Sequence, residues 1–456
     1  MSLKVHFRTF GCKLNQLETE SLASAFCAAG ASAEADSIAS ASPADIYVFN
    51  TCTVTGKAEQ KARREIRLAS RRNPAALILV TGCYAQMEAE TVVALAPRVV
   101  VVPGEFKDSL LTVAETLSSA AADHIDLYDH AQSLFSTVRS VPADPFAFAP
   151  ESFSFHSRPS LKIQDGCNNR CTYCRVCLAR GKSVSLNPEL ALQRVLELEQ
   201  QGAPEIVLTG VNLSQYRHGD MDFCALVHKL INGTKKLQFR ISSWEPDRID
   251  AAFLELFANP RVQPHLHLAV QSGSDRILSA MGRRYTARAV LTAVERLKSL
   301  RADPFLGADL ICGFPGENEA DFKATMQLAE QAGFAWLHAF TFSARPGTPA
   351  AAMPNQTDSS IAGQRTAELN RLALRLRQDF AGRRRGTILQ AVLERTDENT
   401  ANDNDTAVWR SAVSDDYLKL AVRNAGQELN GRIQLLVDTE TTAKLPPGHD
   451  LSAIAL

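Results

Sequence analysis

Short apolar runs, separated by longer segments with helical spacing, recur along most of the chain. Near the N-terminus, residues 4–10 read as a strand and residues 14–29 as a helix stopped near Gly30. Residues 45–51 form a second apolar run, followed by a basic helix over 57–72, and further runs lie at 77–81 and 99–102. Apolar strands joined by helices predict a parallel sheet covered on both faces. From about residue 123 to 157 the periodicity lapses, and the proline-rich stretch 142–150 predicts a connection. The alternation resumes with strands expected at 161–164, 206–209, 237–242, 265–270, 305–311 and 336–342. One intervening helix is marked at both ends, by Asn187 as cap, Pro188 in the first turn and Gly202 as stop. Six strand–helix units in series predict a partial barrel, open on one side, with its working groups at the C-terminal strand ends. After Arg385 come short runs at 388–393, 407–409, 418–422 and 431–437, divided by polar turns such as 397–405. That pattern predicts a small antiparallel β-barrel. The expected class is α/β: a parallel-sheet domain over 1–122, a linker over 123–157, a barrel over 158–385 and a β-barrel over 386–456.

Length agrees with several domains, since 456 residues exceed what one ordinary core holds. A formal net charge of −1 means that any nucleic-acid contact must come from local patches. The first residues lack the apolar run of a signal peptide, and no stretch approaches the ~18 apolar residues of a membrane span. A cytoplasmic, membrane-free protein is expected. In that reducing setting the ten cysteines point to metal ligation or catalysis more than to disulfides.

Seven of the ten fall in suggestive places. Cys12, Cys52 and Cys83 each follow a predicted strand at its C-terminal end, where parallel sheets bring distant residues together. They read either as convergent ligands or as three unrelated buried thiols. Cys167, Cys171 and Cys174 form a Cys-x3-Cys-x2-Cys loop after the first barrel strand. Three thiolates hold three irons of a cubane and leave the fourth iron open to chelation by an amino acid. Zinc is the rival occupant, although it prefers four protein ligands and no histidine lies nearby; Cys177 could supply a fourth thiolate. Cys27, Cys224 and Cys312 sit in apolar surroundings and read as small core residues.

The Cys167–Cys171–Cys174 loop resembles the signature of radical S-adenosylmethionine enzymes. The sequence around it, from Leu161 to Gly181, is similar to the methylthiotransferase family. So are the segments beginning at Val207, Ile241, Val270, Asp309 and Ser343, and the N-terminal ones around Cys12, Cys52 and Cys83. These motifs span nearly the whole chain in the family's order, and the tail resembles that family's RNA-binding TRAM domain. The wording around Cys12 with Glu18 and Glu20, around Cys52, and around Cys83 with Gln86 resembles the branch acting on N6-threonylcarbamoyladenosine at position 37 of tRNA. One departure stands out: relatives carry proline where this chain has Cys177, which reads as an inert substitution.

The resemblance implies two [4Fe-4S] clusters, one on Cys12, Cys52 and Cys83 and one on Cys167, Cys171 and Cys174. The second would bind and cleave S-adenosylmethionine to a 5′-deoxyadenosyl radical, and the first would hold the sulfur to be inserted. Gly210, Asn212, Ser243, Glu245, Gln271 and Gly313 are the expected S-adenosylmethionine contacts; each also fits an ordinary loop or cap residue. Basic runs at Arg63, Arg64, Arg67, Arg71 and Arg72, and at Arg383, Arg384 and Arg385, suit RNA phosphates or merely a solvated helix face. Trp409, Tyr417, Lys419 and Arg423 extend the second patch. Expected partners are the tRNA anticodon stem-loop, an electron donor such as a flavodoxin or ferredoxin, and a sulfur source. The competing functions are methylthiolation of isopentenyladenosine or of a ribosomal-protein aspartate, and a non-catalytic metal-binding RNA module.

Overall fold

Two strands buried along their whole length, β3 (Ile46–Thr51) and β4 (Leu77–Gly82), form the middle of the N-terminal sheet. The computed structural model describes residues 2–35, 37–39, 42–137, 144–394, 409–423, 431–439 and 445–456. With β1 (Lys4–Thr9), β2 (Ser32–Glu34) and β5 (Val99–Val101), the strands run parallel in the order β2-β1-β3-β4-β5. Successive side chains point to opposite faces. Phe7, Val48 and Leu79 therefore meet Leu22 and Phe26 of α1 (Lys13–Ala28) in one core. Tyr47, Phe49, Ile78 and Val80 meet Ala62, Ile66 and Ala69 of α2 (Gly56–Arg72) in another. The α2 helix is capped by Thr55, whose side chain accepts from the Ala58 amide, and Arg71 and Arg72 complement its dipole at the far end.

The segment 123–157 is not a bare connection. It contains a helix, Leu127–Thr137, whose Ala131 and Phe135 join Phe148 in the first core. Leu127, Ala131, Leu134 and Phe135 make an apolar stripe at helical spacing, short enough to be masked by the prolines that follow. Pro142 itself lies outside the described residues.

Contacts divide the chain into two units that do not follow the sequence-based borders. The first is Met1–Phe155 with Lys162–Leu186 and Ser343–Ala351; the second is His156–Leu161, Asn187–Phe342 and Ala352–Leu456. The cysteine loop after the first barrel strand thus folds with the N-terminal sheet.

The barrel strands appear close to their expected places: β6 (Ser160–Lys162), β7 (Glu205–Thr209), β8 (Gln238–Ile241), β9 (His265–Gln271), β10 (Phe305–Cys312) and β11 (Trp336–Thr341). They form two three-stranded sheets, β8-β7-β6 and β9-β10-β11, bridged between β8 and β9 by Phe239–Val262 and Trp244–Leu268 contacts.

The C-terminal strands β12 (Ile388–Leu393), β13 (Trp409–Ser414), β14 (Lys419–Arg423), β15 (Arg432–Val437) and β16 (Leu451–Ala455) close a barrel in the order β12-β13-β14-β16-β15. It is mixed where an antiparallel barrel was expected, because β14 and β16 pair in parallel. Parity requires this: an odd number of strands in a closed ring cannot alternate direction at every step. The expected strand at 407–409 lies mostly outside the described residues, as does the turn 397–405, and β13 continues from Trp409. The core of this barrel runs on into Phe305, Ala335 and Phe380 of the half-barrel.

A buried ion pair ties the two barrels. Arg240 holds Glu205 through Nε and Nη2 at 2.6 and 2.8 Å and donates to the carbonyls of Ser414 and Asp415. Burial opposes the charge on Glu205, but Arg240 and Arg158 outweigh it and hold the carboxyl below its usual range. Glu205 therefore contributes stability above the ordinary carboxylate pKa, and that contribution is lost as pH falls through the lowered folded-state value. Glu205→Gln, which leaves Arg240 buried beside a neutral partner, is expected to cost about 3–5 kcal/mol in denaturant unfolding at neutral pH.

Candidate metal centre

Adjacent parallel strands deliver the first three cysteines to one sheet edge. Cys12 follows β1 and caps α1, Cys52 follows β3, and Cys83 opens a short helix directly after β4. Close approach there depends on glycine. Gly11 has φ +98°, and a Cβ on it would lie 2.6 Å from Cys52 Cβ and 2.7 Å from its sulfur. Polar side chains lock the strand ends together. Asn15 donates to the carbonyls of Phe10 and Thr51 at 2.8 and 3.1 Å, and Asn50 donates to the Asn15 carbonyl. Burial pushes the Cys52 thiol up to about 12, and the neighbouring Cys12 and Cys83 add to the shift.

The second triad lies in a loop held by its own backbone. The Cys167 amide donates to the Gly181 carbonyl and the Cys174 amide to the Cys171 carbonyl, each at 3.1 Å. Burial pushes Cys174 up to about 12, with Cys171, Cys177 and Cys167 contributing. Both sets consist of mutually close thiols, and in neither does an imidazole complete the group. That donor chemistry fits a cubane gripped at three corners. Among the described residues, no three His, Cys, Asp or Glu side chains converge closely enough to hold a single metal ion. Cys177 sits on the helix Val176–Arg180, its sulfur 3.9 Å from the Cys174 carbonyl. Cys177→Ala is expected to keep parental iron content and activity; loss of about half the iron on elemental analysis would make it a ligand.

Beside the first triad lies a buried charge network that the sequence did not announce. Glu18 takes Lys107, Lys162 and Arg180 at 2.5, 3.2 and 3.1 Å, while Asp165 takes Lys162 and Arg180 at 2.5 and 3.0 Å. Burial works against the Glu18 charge, but Arg180, Lys107 and Lys162 outweigh it and hold the carboxyl well below its ordinary range. These groups, with Cys83 and Lys182, line a cavity of about 610 Å³. One signal was available: Glu18 lies between Leu14 and Leu22 at four-residue spacing, a charge on the buried stripe of α1.

Of the expected S-adenosylmethionine contacts, Asn212 and Glu245 are brought together at 3.4 Å. Glu245 is gripped by Arg283 at 2.7 and 2.9 Å, a partner missed from sequence. Gly210 directly follows β7, and Ser243 is exposed. Gln271 ends β9 with φ +68°, a left-handed conformation uncommon for a residue with a side chain. Gly313 is accounted for by packing, since a Cβ there would lie 2.4 Å from Ala362 Cβ. On the face of β9–β11 opposite the apolar Leu266, Leu268, Leu310 and Leu337 stand His267 and Asp309, 2.9 Å apart, with His338 beside them.

The basic runs divide. Arg64, Arg67 and Arg71 are exposed on α2. Arg63 bonds Tyr84, and Arg72 bonds the carbonyls of Ile38 and Ala39. Arg383 and Arg384 are committed to Asp303, and Arg384 also to Asp416; Arg385 is exposed and reaches the Thr439 carbonyl at 3.5 Å. Tyr417 is no open stacking platform: its ring packs on His265 and Phe305. Trp409 lies under Arg423, and Lys419 reaches Glu394.

A half-barrel with a three-cysteine loop defines the radical S-adenosylmethionine class. The family model of the Radical SAM superfamily matches residues 161–329, and that of an uncharacterized protein family, UPF0004, matches residues 4–104. The threonylcarbamoyladenosine tRNA methylthiotransferase of Treponema pallidum is 41% identical over 92% of this chain and 98% of its own length. The protein of that description from Bacillus subtilis is 32% identical over 94% and 92%. The tRNA-2-methylthio-N(6)-dimethylallyladenosine synthase of Delftia acidovorans is 34% identical over 86% and 88%. The chain belongs to the radical S-adenosylmethionine methylthiotransferase family. Membership carries a [4Fe-4S] cluster and S-adenosylmethionine as cofactors. A solved radical S-adenosylmethionine methyltransferase from Kitasatospora setae shares the fold, with TM-score 0.52 and 15% identity over 77% of this chain and 74% of that one. Among the described residues, no helix is long and apolar enough to cross a membrane.

Proposed function

We propose that the protein methylthiolates C2 of N6-threonylcarbamoyladenosine at position 37 of tRNA. What carries this is the 41% identity to the Treponema pallidum threonylcarbamoyladenosine tRNA methylthiotransferase across 98% of that relative. Cys167, Cys171 and Cys174 would hold the cluster that meets S-adenosylmethionine; Cys12, Cys52 and Cys83 would hold a second [4Fe-4S] cluster for sulfur insertion. When bound, these groups supply one-electron cleavage and the sulfur itself, chemistry needed because an aromatic C–H offers neither an acidic proton nor a leaving group.

The chain's own residues bind and orient. Asn212, Ser243, Glu245 and Gln271 offer polar contacts for the ribose, amine and carboxylate of S-adenosylmethionine, and Arg283 keeps the Glu245 carboxylate from swinging. Phe10, Phe49 and Tyr84 share an apolar core with Cys52 and keep water from that side of the first triad. Arg64, Arg67 and Arg71 present a positive face to phosphate, with Arg385 as a separate contact. The tRNA anticodon stem-loop is the partner, and the chemistry calls for a flavodoxin- or ferredoxin-type electron donor and a sulfur source.

Reconstituted protein should carry about eight irons and methylthiolate tRNA bearing threonylcarbamoyladenosine, read by nucleoside mass spectrometry. Product on isopentenyladenosine tRNA instead would move the chain to the other branch, and zinc without iron would remove the enzyme assignment.

A further inference from the structure

The six cysteines come from four places in the chain, and their own spacing does not set how far one triad stands from the other. Side chains one step outside the ligands do. Arg175 follows Cys174 directly and is buried; it donates to Thr53 Oγ1 at 3.3 Å and to Glu88 Oε1 at 2.6 Å. Thr53 in turn follows Cys52 and donates its hydroxyl to Glu59 Oε1 at 2.6 Å. Glu59, in the first turn of α2, lies 3.7 Å from Arg175 and also receives Arg345. The residue after one ligand and the residue after another therefore meet across a single guanidinium.

Arg180 repeats the arrangement at the other end of the loop. It donates to Asn15 Oδ1 at 2.8 Å and to Glu18 Oε1 at 3.1 Å, and it holds Asp165, two residues before Cys167. Asn15 fixes the Phe10 and Thr51 carbonyls, which flank Cys12 and Cys52. The Ala350 amide adds a backbone tie to the Thr172 carbonyl, between Cys171 and Cys174.

We propose that Arg175 and Arg180, anchored on Glu59 and on Asn15 with Glu18, are positioning residues that fix the separation and orientation of the two cysteine triads, and so of the groups they hold. This rests on reading the six cysteines as two cluster sites. A guanidinium suits the task because its planar fork fixes direction as well as distance, whereas a lysine ammonium keeps the charge and loses the fork. Buried ion pairs add little net stability, so their gain here is geometry.

The test uses the full chain carrying Arg175→Lys, and separately Arg180→Lys, reconstituted anaerobically. Iron content is measured first. Then the spin–spin interaction between the two reduced clusters is measured by electron paramagnetic resonance, together with 5′-deoxyadenosine formed per methylthio product. Expected are about eight irons with an altered spin–spin interaction. The ratio of 5′-deoxyadenosine to product should rise on the order of tenfold, since a ~1 Å misplacement can cost a hundredfold. If Arg175→Lys does not fold, Arg180→Lys carries the test through its separate anchors. An unchanged interaction in an iron-replete variant overturns the proposal, and so does loss of about four irons, which would make the arginines cluster-retaining groups. Wild-type protein with fewer than two clusters would instead overturn the reading of the cysteines, and the proposal with it.

Discussion

Changing Cys12, Cys52 and Cys83 together to alanine is expected to halve the iron of the anaerobically reconstituted protein and to separate radical generation from sulfur insertion. The three thiols stand at the ends of β1, β3 and β4, whereas the second triad is held by backbone bonds inside its own loop that do not pass through them. Dithionite should therefore still drive S-adenosylmethionine to 5′-deoxyadenosine. No methylthio product should form on tRNA carrying threonylcarbamoyladenosine, because no sulfur is presented to the base. Iron, 5′-deoxyadenosine and modified nucleoside are to be measured on one preparation. Full iron content, or any methylthioadenosine product, would show that these cysteines do not hold a sulfur-donating cluster.

Cys171→Ala gives the complementary outcome. With three protein ligands to a cubane there is no spare, so loss of one should bring 5′-deoxyadenosine formation down to the level without enzyme, while about half the iron stays with the first triad. Cys171 is buried, and Cys177 lies on the helix Val176–Arg180 with its sulfur toward the Cys174 carbonyl. 5′-Deoxyadenosine persisting in Cys171→Ala would remove the loop from its assigned role.

Much of this was legible because it depends on local period. Buried parallel strands write themselves as apolar runs, so β3, β4 and the barrel strands fell within a residue or two of expectation, and with them the three strand-end cysteines. Pairing partners are another matter. Arg383, Arg384 and Arg63 read as a free basic surface because a charge run says nothing of an aspartate or tyrosine brought up from far along the chain. Tyr417 looked like a stacking residue because its packing on His265 and Phe305 is tertiary. Lys107, Lys162 and Arg180 are unremarkable one by one; only Glu18, a charge on a buried helical stripe, hinted that cations must arrive to meet it.

The late arrival of those cations bears on how the protein is made. Glu59 and Arg345 are 286 residues apart, on the order of 15–60 s of synthesis at ~5–20 residues per second. Early in that interval the N-terminal sheet is outside the ribosome with Glu59 still lacking Arg175 and Arg345, and Cys12, Cys52 and Cys83 are displayed before the Cys167–Cys174 loop exists. The nascent sheet thus waits on residues made much later before the last of its buried ion pairs can close.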